Sequence, residues 1–439
     1  MTTATPDRLR TGTHGLFASP PAVTVRRHRA VLLGVLAVAG GTAVGLLRQP
    51  GAGALNTVWA EDGGIFLTDA EVHGPMAAVG RSYAGYFHLV PRLIAGLATL
   101  VPAGAAAAVL AVSAALVTAL VAVLVYAASA GHLASPLSRF LVSAIVVVVP
   151  LGQDDVLNSI ANLHWYGLYA LFWVLIWTPR GRAGRTVAAA VVLLVAASDI
   201  LTVAYLPLAL VRAARRREDG TRDGHGIVLA ALLGLGVAVQ VVGLATGSSS
   251  RQLSPNPVRG LKGYLVRAVP DALLGQRWLG THVGGTGLAL AALAWLILAA
   301  AAVVAWRRLV APAWPLALTA AVHSVALYVL PVLLSGVATP RYAVAPAMLL
   351  IAALVALLQP EGAARPTAIY ALAALLAVVC AVNLRVDNLR AHGPRWSDSL
   401  DKARPSCMDS GPAAVTEIPI PPADSPPWTV KLPCRYVRG

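Results

Sequence analysis

The chain carries the stretch Val58-Trp59-Ala60-Glu61-Asp62-Gly63-Gly64-Ile65-Phe66 directly after its first apolar segment. Acidic residues are scarce, since Asp and Glu total 19 in 439 residues, yet four of them lie between Glu61 and Glu71. An adjacent carboxylate pair beside a bilayer can act as a base, bind a metal ion or form a solvated loop. Because Trp59, Ile65 and Phe66 are apolar, we expect the pair to lie in a partly buried wall, which favours a functional role.

The composition is that of a membrane protein. Hydrophobic residues make up 57% of the chain and charged residues 12%, with a mean hydropathy of +0.71. Soluble domains carry about 25% charge. Apolar runs of membrane-spanning length recur along the chain. We therefore expect an all-α polytopic protein of the cytoplasmic (plasma) membrane, with about 10–12 transmembrane segments, some of them short or broken.

The net charge of +15 has a simple explanation in such a protein. Most of the Arg residues lie in short loops between apolar segments, which is the positive-inside pattern. No basic stripe is interleaved with aromatic residues, so nucleic acid is not expected as a partner. The lipid bilayer is the expected partner.

The chain divides into three parts. Residues 1–29 are polar and are predicted to be a disordered cytoplasmic N-terminus. Residues 30–384 form the transmembrane domain, with external loops at 48–85 and 247–286, and residues 385–439 form a small extracytoplasmic tail. The apolar segments lie at 30–47, 86–101, 104–128, 138–151, 163–178, 187–211, 227–246, 287–306, 313–334, 342–358 and 367–384.

Segment 187–211 leaves the topology open. It is interrupted at Ser198-Asp199 and has basic residues on both flanks, which prefer the cytoplasm. As a single span, it would leave 180–185 outside and the polar stretch 158–165 inside. As a hairpin of two half-length helices, each about 16 Å long, it would keep both flanks inside. The hairpin requires 86–101 or 138–151 to insert only partly, and the charge distribution favours it.

A second group of candidate residues stands four apart in sequence. His88 and Arg92 would share one face of a helix. An Arg within an apolar segment is costly unless it is paired or faces water. It could therefore bind a phosphate, pair with Glu61 or Asp62, or extend to the membrane interface. Asp69 and Glu71 have the pattern of ordinary surface charges.

A dense polar cluster precedes the segment at 163–178. Amides beside carboxylates and an aromatic ring suit a sugar, because amides bond hydroxyls and Trp stacks on the ring. The alternative is a capped helix start, with Asp154 or Asp155 as the cap. The candidate binding residues in this cluster are Asn158, Asn162, His164 and Trp165.

Two further features lie towards the C-terminus. Arg341 and Tyr342 follow Pro340 at the outer end of a span, where a guanidinium can hold an anionic head group. Cys407 and Cys434 lie in the tail. If the tail is extracytoplasmic, the two cysteines can form a disulfide. Two free thiols are the alternative.

The layout resembles the GT-C superfamily of integral membrane glycosyltransferases. The likeness rests on the acidic Glu61-Asp62 in the first external loop, the many spans that follow, the polar stretch 158–165 and the boundary Arg341-Tyr342. The break at Ser198-Asp199 is similar to features of bacterial members. The high content of Ala, Arg, Val and Gly is similar to that of actinobacterial proteins.

The resemblance implies a polyprenyl-phosphate sugar as donor, used on the outer face of the membrane. It implies an inverting mechanism in which Glu61 or Asp62 is the general base, with Arg341 as a candidate phosphate contact. A glycan or glycolipid of the cell envelope would be the acceptor. The first loop departs from the better-known members because it has no spaced Asp-x-Asp, which leaves a divalent cation, Mg or Mn, open and no metal ligand assigned.

Two other functions fit the same sequence. A transporter or flippase for a lipid-linked envelope precursor also uses broken helices and intramembrane charges, although no internal repeat is present. A non-catalytic envelope assembly factor would not need Glu61 and Asp62. Convergence of Glu61, Asn162 and Arg341 at one outward-facing site would favour an enzyme, and a continuous polar path would favour transport.

Overall fold

The computed structural model describes residues 15–19, 27–216, 220–246, 255–279, 284–360, 366–423 and 427–438, and it is mostly helical. The α-helices are Arg27–Leu47 (α1), Thr68–His73 (α2), Pro75–Val79 (α3), Leu89–Ala98 (α4), Ala106–Ala128 (α5), Pro136–Val148 (α6), Leu163–Ile176 (α7), Arg182–Ala196 (α8), Leu206–Ala214 (α9), Gly224–Thr246 (α10), Pro257–Gly263 (α11), Val269–Leu274 (α12), Gly285–Trp306 (α13), Trp314–Ser335 (α14), Val344–Leu357 (α15), Thr367–Val382 (α16), Trp396–Met408 (α17) and Cys434–Val437 (α18). Two π-helices, Asp62–Leu67 and Tyr264–Ala268, and two strands, Val415–Pro419 (β1) and Thr429–Pro433 (β2), complete the main elements.

Six helices among the described residues are long and apolar enough to cross a membrane. Several others are apolar but shorter, as expected for a protein with short or broken segments. The all-α, polytopic class is therefore supported. The six long helices are His28–Leu47, Ala103–Gly131, Gly224–Thr246, Gly285–Trp306, Trp314–Ser335 and Pro340–Leu357.

Hydrogen bonds from arginine side chains show which helix ends lie together, and these ends form two groups. At one end of the bundle, buried Arg48 donates to the carbonyls of Val147 (2.6 Å), Val149 (2.6 Å) and Leu384 (3.2 Å). These carbonyls lie at or just after the C-terminal ends of α6 and α16, so those ends meet the end of α1. We call this the cap end, because the C-terminal segment covers it.

The opposite end is rich in Arg and is called the basic end. Buried Arg212 in α9 donates to the carbonyls of Val174 (3.1 Å) and Leu175 (2.6 Å) at the end of α7. Arg215 donates to the carbonyl of Phe17 at 3.1 Å. The expectation of disorder is wrong for residues 15–19, since Phe17 is buried beneath these two guanidinium groups. The rest of segment 1–26 lies outside the described residues.

The chain breaks at Ser198-Asp199 as the sequence predicts. Helix α8 ends at Ala196, and a 3-10 helix, Ile200–Tyr205, leads into α9. The break is hydrogen-bonded to the first turn of α4, because Leu89 N–H donates to Ala197 O at 3.2 Å and Val90 N–H donates to the Ser198 hydroxyl at 3.0 Å. Helix α8 has 15 residues, so it is about 22 Å long, longer than the half-length helix predicted.

The 86–101 segment contains only a short helix. Helix α4 has ten residues and is apolar on an exposed side, where Leu93 and Leu97 lie. Its length is about 15 Å, half of a bilayer core. The hairpin topology requires either segment 86–101 or segment 138–151 to insert only partly. In the structure the helix of the first segment, α4, has 10 residues and that of the second, α6, has 13, so 86–101 contains the shorter helix.

The predicted external loop 247–286 contains substantial helix, which corrects its description as a loop. Helix α11, the π-helix Tyr264–Ala268 and α12 follow one another without a gap. Asn256 N–H donates to Leu333 O (3.1 Å) near the end of α14, and Gln276 N–H donates to Pro150 O (3.0 Å) at the cap end. Residues 247–254 and 280–283, with Arg251 and His282, lie outside the described residues.

The C-terminal segment folds into a small cap of helix and hairpin. Strands β1 and β2 pair antiparallel, with Val415 opposite Pro433, and a disulfide joins Cys407 in α17 to Cys434 in α18. The cap is anchored to the bundle, because the Trp396 indole donates to Ala103 O at 2.7 Å. It is therefore part of the fold, and it contains two helices as well as the hairpin.

We expect removal of the disulfide in a Cys407→Ser/Cys434→Ser variant to loosen the cap while the helical bundle stays folded. The crosslink closes a loop of 27 residues, and disulfides of this kind contribute about 2–4 kcal/mol. Hydrogen exchange should become faster in β1, β2 and the π-helix Asp62–Leu67 that they cover. Cys380→Ala, which removes a buried free thiol in α16, is the control. Unchanged exchange in the double variant would contradict the prediction.

Candidate functional site

Glu61 and Asp62 lie at the start of the first π-helix, under the C-terminal cap. Ala60 has a φ of +22° and donates its N–H to Pro421 O at 2.9 Å. A non-glycine residue rarely adopts that φ, so the entry to the π-helix is strained and held by the cap. π-helical turns are uncommon and recur at functional sites. The strained entry places the two neighbouring carboxylates in different surroundings.

The Asp62 carboxylate is buried and fully engaged in hydrogen bonds. It accepts from the Ser159 hydroxyl (2.9 Å), the Ile160 N–H (3.2 Å) and the Ala161 N–H (2.9 Å), and its residue is 1% exposed. Burial raises the pKa of Asp62 to about 6, although the charge of nearby Arg390 opposes the shift. Asp62 therefore joins the first loop to the polar segment before α7, and it does not face the solvent.

Glu61 faces a different partner. Its Oε1 lies 3.4 Å from Arg341 Nη1, and the same nitrogen lies 3.9 Å from Asp155 Oδ2. The side chains of Glu61, Arg341 and Asp155 are 11%, 22% and 30% exposed. The three residues come from distant parts of the chain and form a partly exposed cluster of two carboxylates and one guanidinium. From the sequence, Asp155 is only a candidate helix cap, because nothing local to it indicates a partner nearly two hundred residues away.

Aromatic and amide groups surround this cluster. The ring centres of Trp165 and Tyr342 lie 5.7 Å apart. Asn162 accepts from the Trp165 indole (3.3 Å) and donates to Asp155 O (3.0 Å), which fixes both neighbours. Because Trp165 and Asn162 are almost fully buried, they position the cluster and offer little surface of their own.

His164 connects the site to the broken helix. Its Nδ1 lies 3.9 Å from Asp199 Oδ2, while Asp199 Oδ1 accepts from the Leu201 N–H at 2.8 Å. The side chain of Asp199 is buried, and that of His164 is slightly exposed. Asp199 was noted in the sequence only as part of the helix break. In the structure its carboxylate also faces a candidate site residue.

His88 makes aromatic contacts where α4 begins. It is the N-cap residue of α4 and lies outside the helix, with its ring stacked on that of Tyr86 and the two ring centres 4.1 Å apart. Because His88 lies outside the helix, it does not share a helix face with Arg92. Both residues nevertheless contact Phe66. The centre of the His88 ring lies 5.4 Å, and the guanidinium carbon of Arg92 lies 5.2 Å, from the centre of the Phe66 ring.

Arg92 pairs with a residue that the sequence did not suggest. Its Nη1 lies 2.9 Å from Asp69 Oδ2, and Arg81 Nε lies 3.3 Å from the other oxygen of the same carboxylate. Asp69 is therefore not an ordinary surface charge, and neither Glu61 nor Asp62 pairs with Arg92. Glu71 also differs from expectation, since it is buried and burial raises its pKa to about 7 against the opposing charge of Arg435.

Asn158 has a structural contact. It has a φ of +55°, which Asn tolerates better than most residues. Its side-chain amide donates to Gly45 O in α1 at 2.9 Å. Asn158 therefore connects the polar segment to the first helix.

Metal binding was left open by the sequence. Within the part of the chain that the structure describes, no group of three or more His, Cys, Asp or Glu residues is placed to hold a metal ion. Glu61 and Asp155 both face Arg341, whose positive charge disfavours a cation between them.

Comparison with known proteins adds no assignment. No protein-family model, no curated protein and no solved structure matches this chain. The geometry of the site therefore carries the functional argument.

Asp62→Asn should change how stability depends on pH. Since the folded pKa of about 6 lies above the ordinary value of 3.8, the folded state binds the proton more tightly. The free energy of unfolding therefore falls as pH rises from about 4 to about 6, by about 2 kcal/mol from this group over that interval. The amide of the variant does not titrate, so the variant should lose less stability over that interval. Thermal unfolding in detergent at pH 4.5 and 7.5 measures the difference.

Asp398→Asn provides the control for this experiment. Asp398 is an exposed carboxylate in α17, and its replacement should leave the pH profile of wild type unchanged. If Asp62→Asn and wild type gave parallel profiles, Asp62 would not titrate in this interval.

Proposed function

We propose that the protein is a membrane glycosyltransferase of the GT-C type. It would move a sugar from a polyprenyl-phosphate donor to a glycan or glycolipid of the cell envelope. The proposal rests on one observation: Glu61, Asp155 and Arg341, from three separate segments, meet in a partly exposed cluster at the cap end. Sugar transfer from a lipid phosphate needs a base for the acceptor and a cation for the leaving phosphate.

Glu61 is assigned as the general base and Asp62 as the residue that positions it. Glu61 is the partly exposed member of the pair, whereas the oxygens of Asp62 are occupied by three donors. Before substrate binds, Arg341 is shared between Glu61 and Asp155. A donor phosphate would attract the guanidinium and leave Glu61 available to accept the proton of an acceptor hydroxyl.

The convergence of the site at one end favours an enzyme over a transporter. Asn162 and Trp165 support the cluster from the start of α7, and Tyr342 supports it from the turn just before α15. All of these groups lie at the cap end. A transporter would instead need polar groups along a path between the two ends.

The cap end is assigned to the extracytoplasmic face, with the N-terminus inside and the C-terminus outside. Arg212 and Arg215 lie at the basic end, and Arg307 follows α13 where that helix reaches the same end. The positive-inside rule places such residues in the cytoplasm. The disulfide in the cap agrees with an oxidising compartment.

Labelling of introduced cysteines tests this orientation. Lys402→Cys in α17 and Arg307→Cys after α13 both replace exposed residues. A membrane-impermeant maleimide added to whole cells should label Lys402→Cys, whereas Arg307→Cys should react only after the membrane is opened. Wild type, whose free Cys380 is buried, provides the background. Labelling of Arg307→Cys in intact cells would contradict this orientation and would place the basic end outside.

The activity itself is tested in membranes with labelled polyprenyl-phosphate sugars. Glu61→Gln should lower the transfer rate at least about 100-fold, because general bases contribute about that factor or more. Arg341→Gln should lower it as well. Glu417→Gln is the matched control, since Glu417 lies exposed on β1 and pairs with Lys431 at 3.2 Å, outside the cluster.

Thermal unfolding of each variant separates catalysis from folding. Glu61→Gln should unfold close to the wild-type temperature. Full activity in a folded Glu61→Gln variant would exclude Glu61 as the base. If wild type transferred none of the sugars offered, the glycosyltransferase proposal would give way to the transporter.

A further inference from the structure

An open pocket of about 520 Å³ lies at the cap end, outside the Glu61–Arg341 cluster. It is formed where the chain leaves α12 and where α16 ends. Its volume falls in the range of small-molecule sites. The residues that line it are Arg277, Trp278, Ala381, Val382, Leu384 and Arg385.

The charged residues known to line this pocket are cationic. Among the described residues, its lining includes Arg277 and Arg385 and no acidic residue. The carboxylate of nearby Asp387 lies 2.8 Å from His392 Nε2, and so it is already engaged with another side chain. The pocket therefore has a local positive charge suited to an anion.

The backbone around Arg277 is fixed against α16. Its N–H donates to Asn383 Oδ1 at 3.0 Å, and its Nη1 donates to Val382 O at 3.2 Å. The guanidinium carbon lies 5.9 Å from the centre of the Trp278 ring. Since these contacts hold the arginine in place, an anion that binds there would lose little to side-chain ordering.

The pocket borders an apolar surface. Val378 on α16 is 62% exposed and Trp278 is 57% exposed. Trp residues with one apolar and one polar side concentrate at membrane–water interfaces. The apolar wall below the two arginines is therefore suited to a lipid chain, and the arginines are suited to its head group.

We propose that this pocket binds the phosphate of an anionic membrane lipid. The phosphate lies between Arg277 and Arg385, Trp278 borders the head group, and an acyl chain runs along α16 past Val378. A free phosphate ion has the same charged chemistry but does not use the apolar wall. The site is separate from the proposed sugar-transfer site, and the proposal does not depend on that function.

The test uses the full-length protein purified in detergent and titrated with phosphatidylglycerol that carries brominated acyl chains. Bromine quenches Trp fluorescence on contact, and a Trp278→Phe variant identifies the share of the signal that comes from Trp278. We expect the Arg277→Ala/Arg385→Ala variant to need a roughly 10- to 30-fold higher lipid concentration for half-maximal quenching of Trp278. Brominated phosphatidylcholine, which has no net charge, should bind wild type as weakly as phosphatidylglycerol binds that variant.

Arg395→Ala/Lys402→Ala is the matched control. It removes the same charge from exposed positions in or beside α17 that are not among the lining residues of the pocket, and it should bind phosphatidylglycerol like wild type. Arg277→Lys/Arg385→Lys, which keeps the charge, should retain most of the affinity and covers the case in which the alanine variant does not fold. Equal weakening in the control, or no weakening in the alanine variant, would overturn the proposal.

Inorganic phosphate and glycerol phosphate distinguish the two sources of the anion. If the lipid is the ligand, neither should displace brominated phosphatidylglycerol at millimolar concentration. Complete displacement by either would make the pocket a site for a soluble phosphate and would overturn the lipid assignment.

Discussion

The structure of the cap end depends on the hydrogen bonds made by one buried carboxylate. Asp62 accepts from a hydroxyl and two backbone N–H groups of residues 159–161. These donors belong to an irregular segment between α6 and α7, whose backbone groups lack the hydrogen-bond partners that a helix would provide. Without Asp62 they would be buried and unsatisfied, at a cost of about 1–3 kcal/mol for each. The same contacts fix Asn162 and His164, which follow directly, and so they determine where the candidate site can form.

The C-terminal cap provides the second constraint, since it covers the π-helix that carries Asp62. A Cβ at Gly63 would lie 2.6 Å from a Val430 methyl, and one at Gly64 would lie 2.8 Å from the Trp428 ring. Side chains at these two positions would push β2 away from the first loop. The paired glycines therefore have a packing role, because they allow two segments more than three hundred residues apart to touch. Since the cap is also closed by a disulfide, its stability and the geometry at Glu61 are linked.

The sequence predicted the features of the fold that depend on local pattern. The apolar segments, the break at Ser198-Asp199 and the short 86–101 segment follow from runs and interruptions of hydrophobic residues. The helix through Tyr264–Ala268 was missed because Arg259, Lys262 and Asp271 interrupt its apolar run. At the candidate site, the pattern pointed to residues but did not reveal their partners. Glu61 and Asp62 look alike in sequence, and only contacts with Arg341 and residues 159–161 separate their environments. Likewise, Arg92 pairs with Asp69 because the short helices α2 and α3 fold back, which spacing along the chain does not reveal.

The balance of charge around Arg341 explains how two partly buried carboxylates can persist beside one another. Glu61 and Asp155 would repel each other if they met alone, and desolvation would add to the cost. Arg341 lies 3.4 Å from one and 3.9 Å from the other, which offsets both terms while leaving the cluster one negative charge. The distances are those of loose ion pairs, longer than a bidentate pair would show. Arg341 can therefore exchange one partner for another anion at small cost, whereas the three hydrogen bonds of Asp62 keep the surrounding backbone in place.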